Sequence, residues 1–146
     1  MLNKLIFKYI GKVLIAFSIL LFVPIIVSLI YSESIIPFLV PLCFSLGIGI
    51  LFNCLNSNKK TLYAKDGFII VSISWILISL LGALPFWLNL DISFVDALFE
   101  SVSGFTTTGA TIFDDVEVLS NSILFWRSFS HFIGGMGVLA FVMAVI

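Results

Sequence analysis

Charged residues are few in this sequence. Only 10% of its 146 residues are Asp, Glu, Lys or Arg, where a soluble domain averages about 25%. The formal net charge is −1 and only seven residues are basic. No surface is therefore basic enough to track phosphates, which excludes nucleic acid as a partner. There is one histidine, and there are two cysteines, so no Cys/His spacing for a metal centre is present. Cys43 and Cys54 lie in one apolar run, about 16 Å apart along a helix axis, whereas a disulfide tolerates Cα separations of roughly 7 Å. They read as small apolar residues of a membrane helix. The sequence contains no phosphate-binding G-x-x-x-x-G-K-[ST] and no nucleophile elbow. With no catalytic constellation and no cofactor motif, an enzyme is not expected. Any energy coupling has to come from the membrane potential or from a partner.

Apolar residues are what the sequence has instead. They make up 61% of the chain, and the mean hydropathy is +1.25. A soluble domain of this size leaves about 30% of its unfolded-chain surface facing outward. Here that surface would be largely apolar, which excludes a soluble globular enzyme and a disordered tail and leaves a protein of the lipid bilayer. Apolar runs occupy residues 13–31, 35–55, 68–88 and 122–146. Each is close to the roughly 20 residues that cross the hydrocarbon as a helix, the form that satisfies its own backbone. Pro24, Pro37, Pro41 and Pro85 fall within or at the ends of these runs, where membrane helices tolerate them with local kinks. The first run is too long for the apolar region of a signal peptide, and no small-x-small cleavage site follows it cleanly, so it reads as a retained anchor.

Lys4, Lys8 and Lys12 precede the first run, and Lys59, Lys60 and Lys65 lie between the second and third. The positive-inside bias places both segments, and the N-terminus, in the cytoplasm. Glu33, Asp91, Asp96, Glu100, Asp114, Asp115 and Glu117 then fall toward the other side, and only Asp66 and Arg127 depart from this split.

Residues 91–121 do not read as an ordinary loop. Ser93-Phe94-Val95-Asp96 has the form of a capping box. Ala97, Leu98, Phe99, Val102 and Phe105 follow it with polar residues interleaved. This predicts an amphipathic helix over 93–104, about 18 Å long, which enters the membrane partway and stops. It stops at a Thr/Gly segment, 105–111, whose composition favours extended backbone. Such backbone at membrane depth is tolerated only when buried in protein or lining a watery cavity. A half-helix followed by a Thr/Gly return is the layout of an ion-selectivity filter, in which backbone carbonyls replace the water shell of a cation. Gly109 lets the chain turn without a Cβ clash, and threonine hydroxyls add a ligand or tie the loop to its surroundings. The competing reading is a surface loop that happens to be rich in Thr and Gly.

The stretch Phe99-Glu100-Ser101-Val102-Ser103-Gly104-Phe105-Thr106-Thr107-Thr108-Gly109-Ala110-Thr111 resembles the first pore loop of the TrkH potassium-uptake proteins. Ile123-Leu124-Phe125-Trp126-Arg127-Ser128 and Gly134-Gly135-Met136-Gly137 are similar to the start and middle of that family's next helix. The resemblance is close over residues 68–146, and the two preceding spans fit the TrkH type, whereas the related KtrB type lacks them. It implies an all-α membrane protein, with two leading transmembrane helices (1–66) and one helix–pore-loop–helix unit of a K+-channel-like pore (67–146). The unit would comprise a span at 68–88, the pore helix at 93–104, the filter at 105–111 and a second helix at 122–146. The family builds its pore from four such units, so three are missing, and the chain ends inside an apolar run at Ile146. Both features lead to the expectation of a fragment that does not transport alone.

By position, the resemblance makes the carbonyls of Thr107 and Thr108 the first potassium ligands, with those of Gly109 and Ala110 next. Glycine at position 109 favours potassium over sodium, and a single strand glycine implies a looser filter than T-V-G-Y-G. Glu100, Arg127, Thr106 and Thr111 are expected to support the filter. The function implied is potassium uptake across the bacterial inner membrane, with K+ as substrate and no cofactor. The implied partners are a second copy in a homodimer and a cytosolic nucleotide-binding subunit of the TrkA type. The alternatives are a cation symporter coupled to H+ or Na+ and a non-conducting assembly subunit.

Other polar residues carry open readings. Arg127 lies about one turn into its helix, where a membrane-buried charge costs about 2.5–3.5 kcal/mol. It either snorkels outward or pairs with Glu100. His131, on the same face, is read as a packing and hydrogen-bonding residue, with proton coupling as the weaker possibility. Gly134, Gly135 and Gly137 allow close helix approach or a kink, with a gating hinge as the alternative. Asp114, Asp115 and Glu117 either concentrate cations at the mouth or form a solvated, helix-capping loop.

Overall fold

A computed structural model describes residues 4–55 and 63–145. Lys59 and Lys60, which contribute to the expected orientation, and Ile146 lie outside the described residues. The described residues form six helices in order: α1 (Lys4–Leu20), α2 (Phe22–Ile30), α3 (Ile36–Asn53), α4 (Ala64–Asn89), α5 (Phe94–Phe105) and α6 (Asn121–Val145). Among the described residues there is no strand. Among the described residues three segments are long and apolar enough to cross a membrane: Lys4–Ile30, Ile36–Asn53 and Ala64–Asn89.

The first helix begins earlier than the apolar run and takes in the basic flank. The division between α1 and α2 falls at Leu21, three residues before Pro24. Proline has no N–H to donate to the carbonyl four residues back, and its ring crowds that carbonyl. Leu21 still donates to Phe17 O at 3.1 Å, so the chain continues in the same course. α1 and α3 then pack very closely. A Cβ placed on Gly11 would lie 2.7 Å from the Gly49 carbonyl oxygen, so only glycine permits this approach, as at small-residue contacts in membrane helix pairs. Ser45 Oγ donates to Leu14 O across the same interface at 2.6 Å.

Asp66, which departed from the charge split, has a local role. Its Oδ2 accepts from the Tyr63 N–H at 3.1 Å and so caps α4. A carboxylate in the first turn also complements the positive end of the helix. At the far end of the hairpin, Glu33 sits half-buried in the turn between α2 and α3.

The interior centres on aromatic rings drawn from four helices. Trp126 of α6 meets Phe17 of α1 at 6.2 Å, Phe38 of α3 at 6.0 Å and Phe105 of α5 at 6.0 Å between ring centroids. Its indole N–H donates to Gly82 O of α4 at 3.1 Å. The pairs with Phe38 and Phe105 are edge-to-face and the pair with Phe17 is tilted; an edge-to-face pair adds about 0.5–1.5 kcal/mol beyond area burial. The leading helices therefore pack directly behind the last residue of α5.

Candidate functional site

α5 forms where the sequence places it, because its start signal is local. Ser93 Oγ accepts from the Asp96 N–H at 3.1 Å, and the Ser93 hydroxyl donates to Asp96 Oδ2 at 2.8 Å. The carboxylate therefore returns to the hydroxyl of the cap residue. The helix has 12 residues, about 18 Å, too short to cross a bilayer. Its buried face is Ala97, Glu100, Ser101, Ser103, Gly104 and Phe105. Ser101 Oγ donates to Ser79 O of α4 at 2.7 Å.

The helix ends in a Schellman turn. Thr107 N–H donates to Gly104 O and Thr108 N–H to Ser103 O, both at 2.9 Å. This motif needs a left-handed residue just past the cap, and glycine is the usual occupant. Here it is Thr107, with φ 57°. A β-branched residue in that region is an outlier worth about 1–3 kcal/mol of strain, of the kind that collects at functional sites. Sequence reasoning gave Thr107 only as a carbonyl donor and missed this turn, since its one available signal, glycine, is absent. Gly109 does take a positive φ, 80°.

Residues Thr106 to Thr111 are exposed, and past the turn residues 108–111 form neither helix nor strand; side chains of α5 hold this segment. Ser103 Oγ donates to Ala110 O at 2.6 Å. Glu100 Oε1 accepts from the Thr111 hydroxyl at 2.6 Å and from the Ile112 N–H at 2.7 Å. Thr106 Oγ1 donates back to Val102 O at 2.6 Å and lies 2.8 Å from Thr108 Oγ1. Among the described residues the carbonyls of Thr107, Thr108 and Gly109 accept no hydrogen bond, whereas that of Ala110 is engaged. Three adjacent carbonyls without protein donors can serve a dehydrated cation.

The structure brings Glu100 and Arg127 together, with Arg127 Nε 3.3 Å from Glu100 Oε2. The Glu100 side chain is 1% exposed and that of Arg127 20% exposed. Of the two readings of Arg127, the pair is the one observed. His131 Nδ1 lies 2.7 Å from Arg127 O. A carbonyl only accepts, so Nδ1 carries the proton. The other nitrogen, Nε2, lies 3.9 Å from where a Cβ on Gly109 would stand.

Of Gly134, Gly135 and Gly137, the first and last permit close approach, whereas no close approach depends on Gly135. A Cβ on Gly134 would overlap the Phe105 carbonyl oxygen and lie 2.8 and 2.9 Å from Phe105 C and Cα. One on Gly137 would meet the Trp75 ring at 3.0 Å, and one on Gly135 would meet Thr107 Cγ2 at 3.8 Å. Asp114, Asp115 and Glu117 are exposed. Asp115 Oδ1 accepts from the Glu117 N–H at 2.9 Å, a turn-forming bond typical of solvated loops. Among the described residues no three His, Cys, Asp or Glu side chains converge as a metal site.

Glu33 is a residue that sequence reasoning placed only by the side it faces. Its Oε1 accepts from the Asn121 N–H at 2.9 Å and its Oε2 from the Ser122 N–H at 2.8 Å, capping α6. Burial pushes the carboxyl up, and hydrogen bonds from Ser122 and Asn121 more than offset this, leaving it below its ordinary 4.5. A lowered folded-state value stabilises the fold above the ordinary value, and that contribution is lost as pH falls through the folded value. The melting-temperature margin of the wild type over Glu33→Gln in detergent is therefore expected to be full at neutral pH and to shrink below about pH 4.5. A pH-independent margin would show that this cap does not titrate with folding.

A family model for TrkH, described as a cation transport protein, matches residues 35–146. The chain is 42% identical over 135 residues to the Trk system potassium uptake protein TrkG of Escherichia coli K12, covering 89% of this chain and 28% of that protein. It is 40% identical over 131 residues to an uncharacterized cation transporter of Methanocaldococcus jannaschii, covering 88% and 27%. It is 35% identical over 147 residues to the Trk system potassium uptake protein TrkH of Halomonas elongata, covering 98% and 30%. The chain thus spans less than a third of the length of these relatives. The matched region takes in α3 to α6, including the half-helix and the Thr/Gly return, and the chain belongs to the TrkH cation transport family.

Proposed function

We propose that this chain supplies one of the four strands of a potassium-selective filter and works as part of a Trk-type potassium uptake system. The observation that carries this reading is the run of three carbonyls in an exposed segment, Thr107 to Gly109, that accept no hydrogen bond among the described residues. The exit end of the strand is tied back to the same half-helix, at Ala110 by Ser103 and at Thr111 and Ile112 by Glu100. The negative end of α5 adjoins the same strand, which favours a cation there. The names of the relatives, potassium uptake proteins, support potassium as the ion. The membrane potential provides about 2.3 kcal/mol per charge per 100 mV, enough for accumulation through a channel-like route.

In this reading the N-terminus and Lys4, Lys8, Lys12 and Lys65 face the cytoplasm, by the positive-inside bias. α6 completes the unit as its second spanning helix, in the bacterial inner membrane. The complete transporter is a homodimer regulated by a nucleotide-binding subunit of the TrkA type, as the resemblance implies.

The test is Gly109→Ser in the complete transporter that contains this chain. A Cβ at position 109 has room, so the effect comes from a φ of 80° that an L side chain rarely adopts. The expected result is a fall of about tenfold, or ~1.4 kcal/mol, in preference for K+ over Na+ measured by uptake competition. Unchanged uptake and preference would sink the filter assignment and leave the non-conducting assembly role.

A further inference from the structure

The first N–H groups of any helix lack intrahelical partners, and α6 has no acidic residue in its own first turn. Its cap comes from a distant part of the chain. Glu33 in the α2–α3 turn takes the Asn121 and Ser122 amides, one on each carboxylate oxygen, across 88 and 89 residues of sequence. Two charge-assisted bonds on adjacent amides fix both the rotation and the axial position of a helix end.

That position matters for the filter strand. Arg127 follows Ser122 by five residues, about 7.5 Å along the axis. Its Nε reaches Glu100 at 3.3 Å, already at the long end of a hydrogen bond, so a small slip or rotation of α6 breaks the contact. Glu100 in turn holds Thr111 and the Ile112 amide at the exit of the strand. Deeper in the bundle, Phe17 and Phe38 of the same leading helices grip Trp126, the residue next to Arg127.

We propose that the leading hairpin is the outer brace of the filter, with Glu33 as a positioning residue that sets α6 and, through Arg127 and Glu100, the filter strand. This rests on the filter reading above. The hairpin is thereby a participant in ion selection, beyond anchoring the chain in the bilayer.

The experiment uses the complete transporter and two readouts. Amide hydrogen exchange at Asn121 and Ser122 reports the cap directly. Competition between K+ and Na+ in uptake reports the filter. Glu33→Ala is expected to speed exchange at both amides by about tenfold or more and to lower K+ preference by about tenfold. Glu33→Gln keeps the size of the side chain and one acceptor oxygen, and is expected to fall between the two in both readouts. It also serves if the alanine variant does not fold. Unchanged exchange overturns the proposal, since the cap would then not be Glu33. Faster exchange with wild-type preference also overturns it, provided Gly109→Ser does shift the preference, and the filter reading then stands. If neither variant shifts the preference, the filter reading falls and the proposal falls with it.

Discussion

Replacing Arg127 by glutamine is expected to cost about 3–5 kcal/mol of stability, the range for stranding one member of a buried ion pair. The partner left behind is Glu100, whose side chain is 1% exposed and which keeps only the Thr111 hydroxyl and the Ile112 amide as donors. The reverse change should be milder. Glu100→Gln retains a carbonyl oxygen for Thr111 and Ile112, and Arg127, 20% exposed, has a path to water near its helix end. Its expected cost is about 1–3 kcal/mol, the penalty for weakening buried hydrogen bonds. The double variant removes the stranded charge, so the two losses should fail to add, with a coupling energy of about 1–3 kcal/mol. Denaturation of the four proteins in detergent measures it. A coupling below about 0.5 kcal/mol would show that the two groups do not act together. Both single variants should also lose K+ preference, because Glu100 ties the return of the strand to α5.

How far the sequence discloses this arrangement depends on how far apart the partners lie. α5 is legible because its cap joins Ser93 to Asp96, only three positions apart, and its amphipathic pattern is internal to one helix. The apolar runs that became α3 and α4 are legible from length and hydropathy alone. The Arg127–Glu100 contact spans 27 residues, and two accounts of Arg127 fit the sequence equally well until the fold brings α5 against α6. Glu33 is harder still. One acidic residue in a turn has many uses, and its partners are backbone amides, which carry no residue identity. The left-handed Thr107 is hidden for a related reason. Its φ of 57° is imposed by the Schellman bonds from Thr107 and Thr108 to Gly104 and Ser103, against the local preference of threonine. Local rules fail at this position because the hydrogen bonds that close the turn outweigh about 1–3 kcal/mol of strain. The contact of Gly11 with Gly49 is invisible for the opposite reason, since nothing distinguishes those glycines from others in the runs until α1 and α3 meet.

The three glycines of α6 separate close packing from a hinge. Gly134→Ala is expected to be severe. The added methyl would overlap the Phe105 carbonyl oxygen and crowd Phe105 C and Cα at 2.8 and 2.9 Å. These are backbone atoms at the end of α5, so no side-chain rotation relieves the clash, and overpacking of this kind costs about 1–3 kcal/mol or more. The displaced atoms immediately precede Thr106 and Thr107, so the Thr/Gly segment must move with them. Potassium uptake by the complete transporter should fall along with the melting temperature. Gly137→Ala meets the Trp75 ring at 3.0 Å, which has to yield by a few tenths of an ångström, so an intermediate effect is expected. Gly135→Ala meets only Thr107 Cγ2 at 3.8 Å, an ordinary contact. Alanine is favoured over glycine in a helix interior by about 0.8–1.0 kcal/mol, so this variant should be neutral or more stable. A hinge predicts a different order. Stiffening any of the three would impair opening, and the accommodating Gly135→Ala would lose transport while gaining stability. Melting and uptake measured on the same three variants distinguish the two. Losses that follow the crowding, with position 134 far ahead of 137 and 135 unharmed, identify Gly134 and Gly137 as packing positions, where α6 seats against the end of α5 and against Trp75.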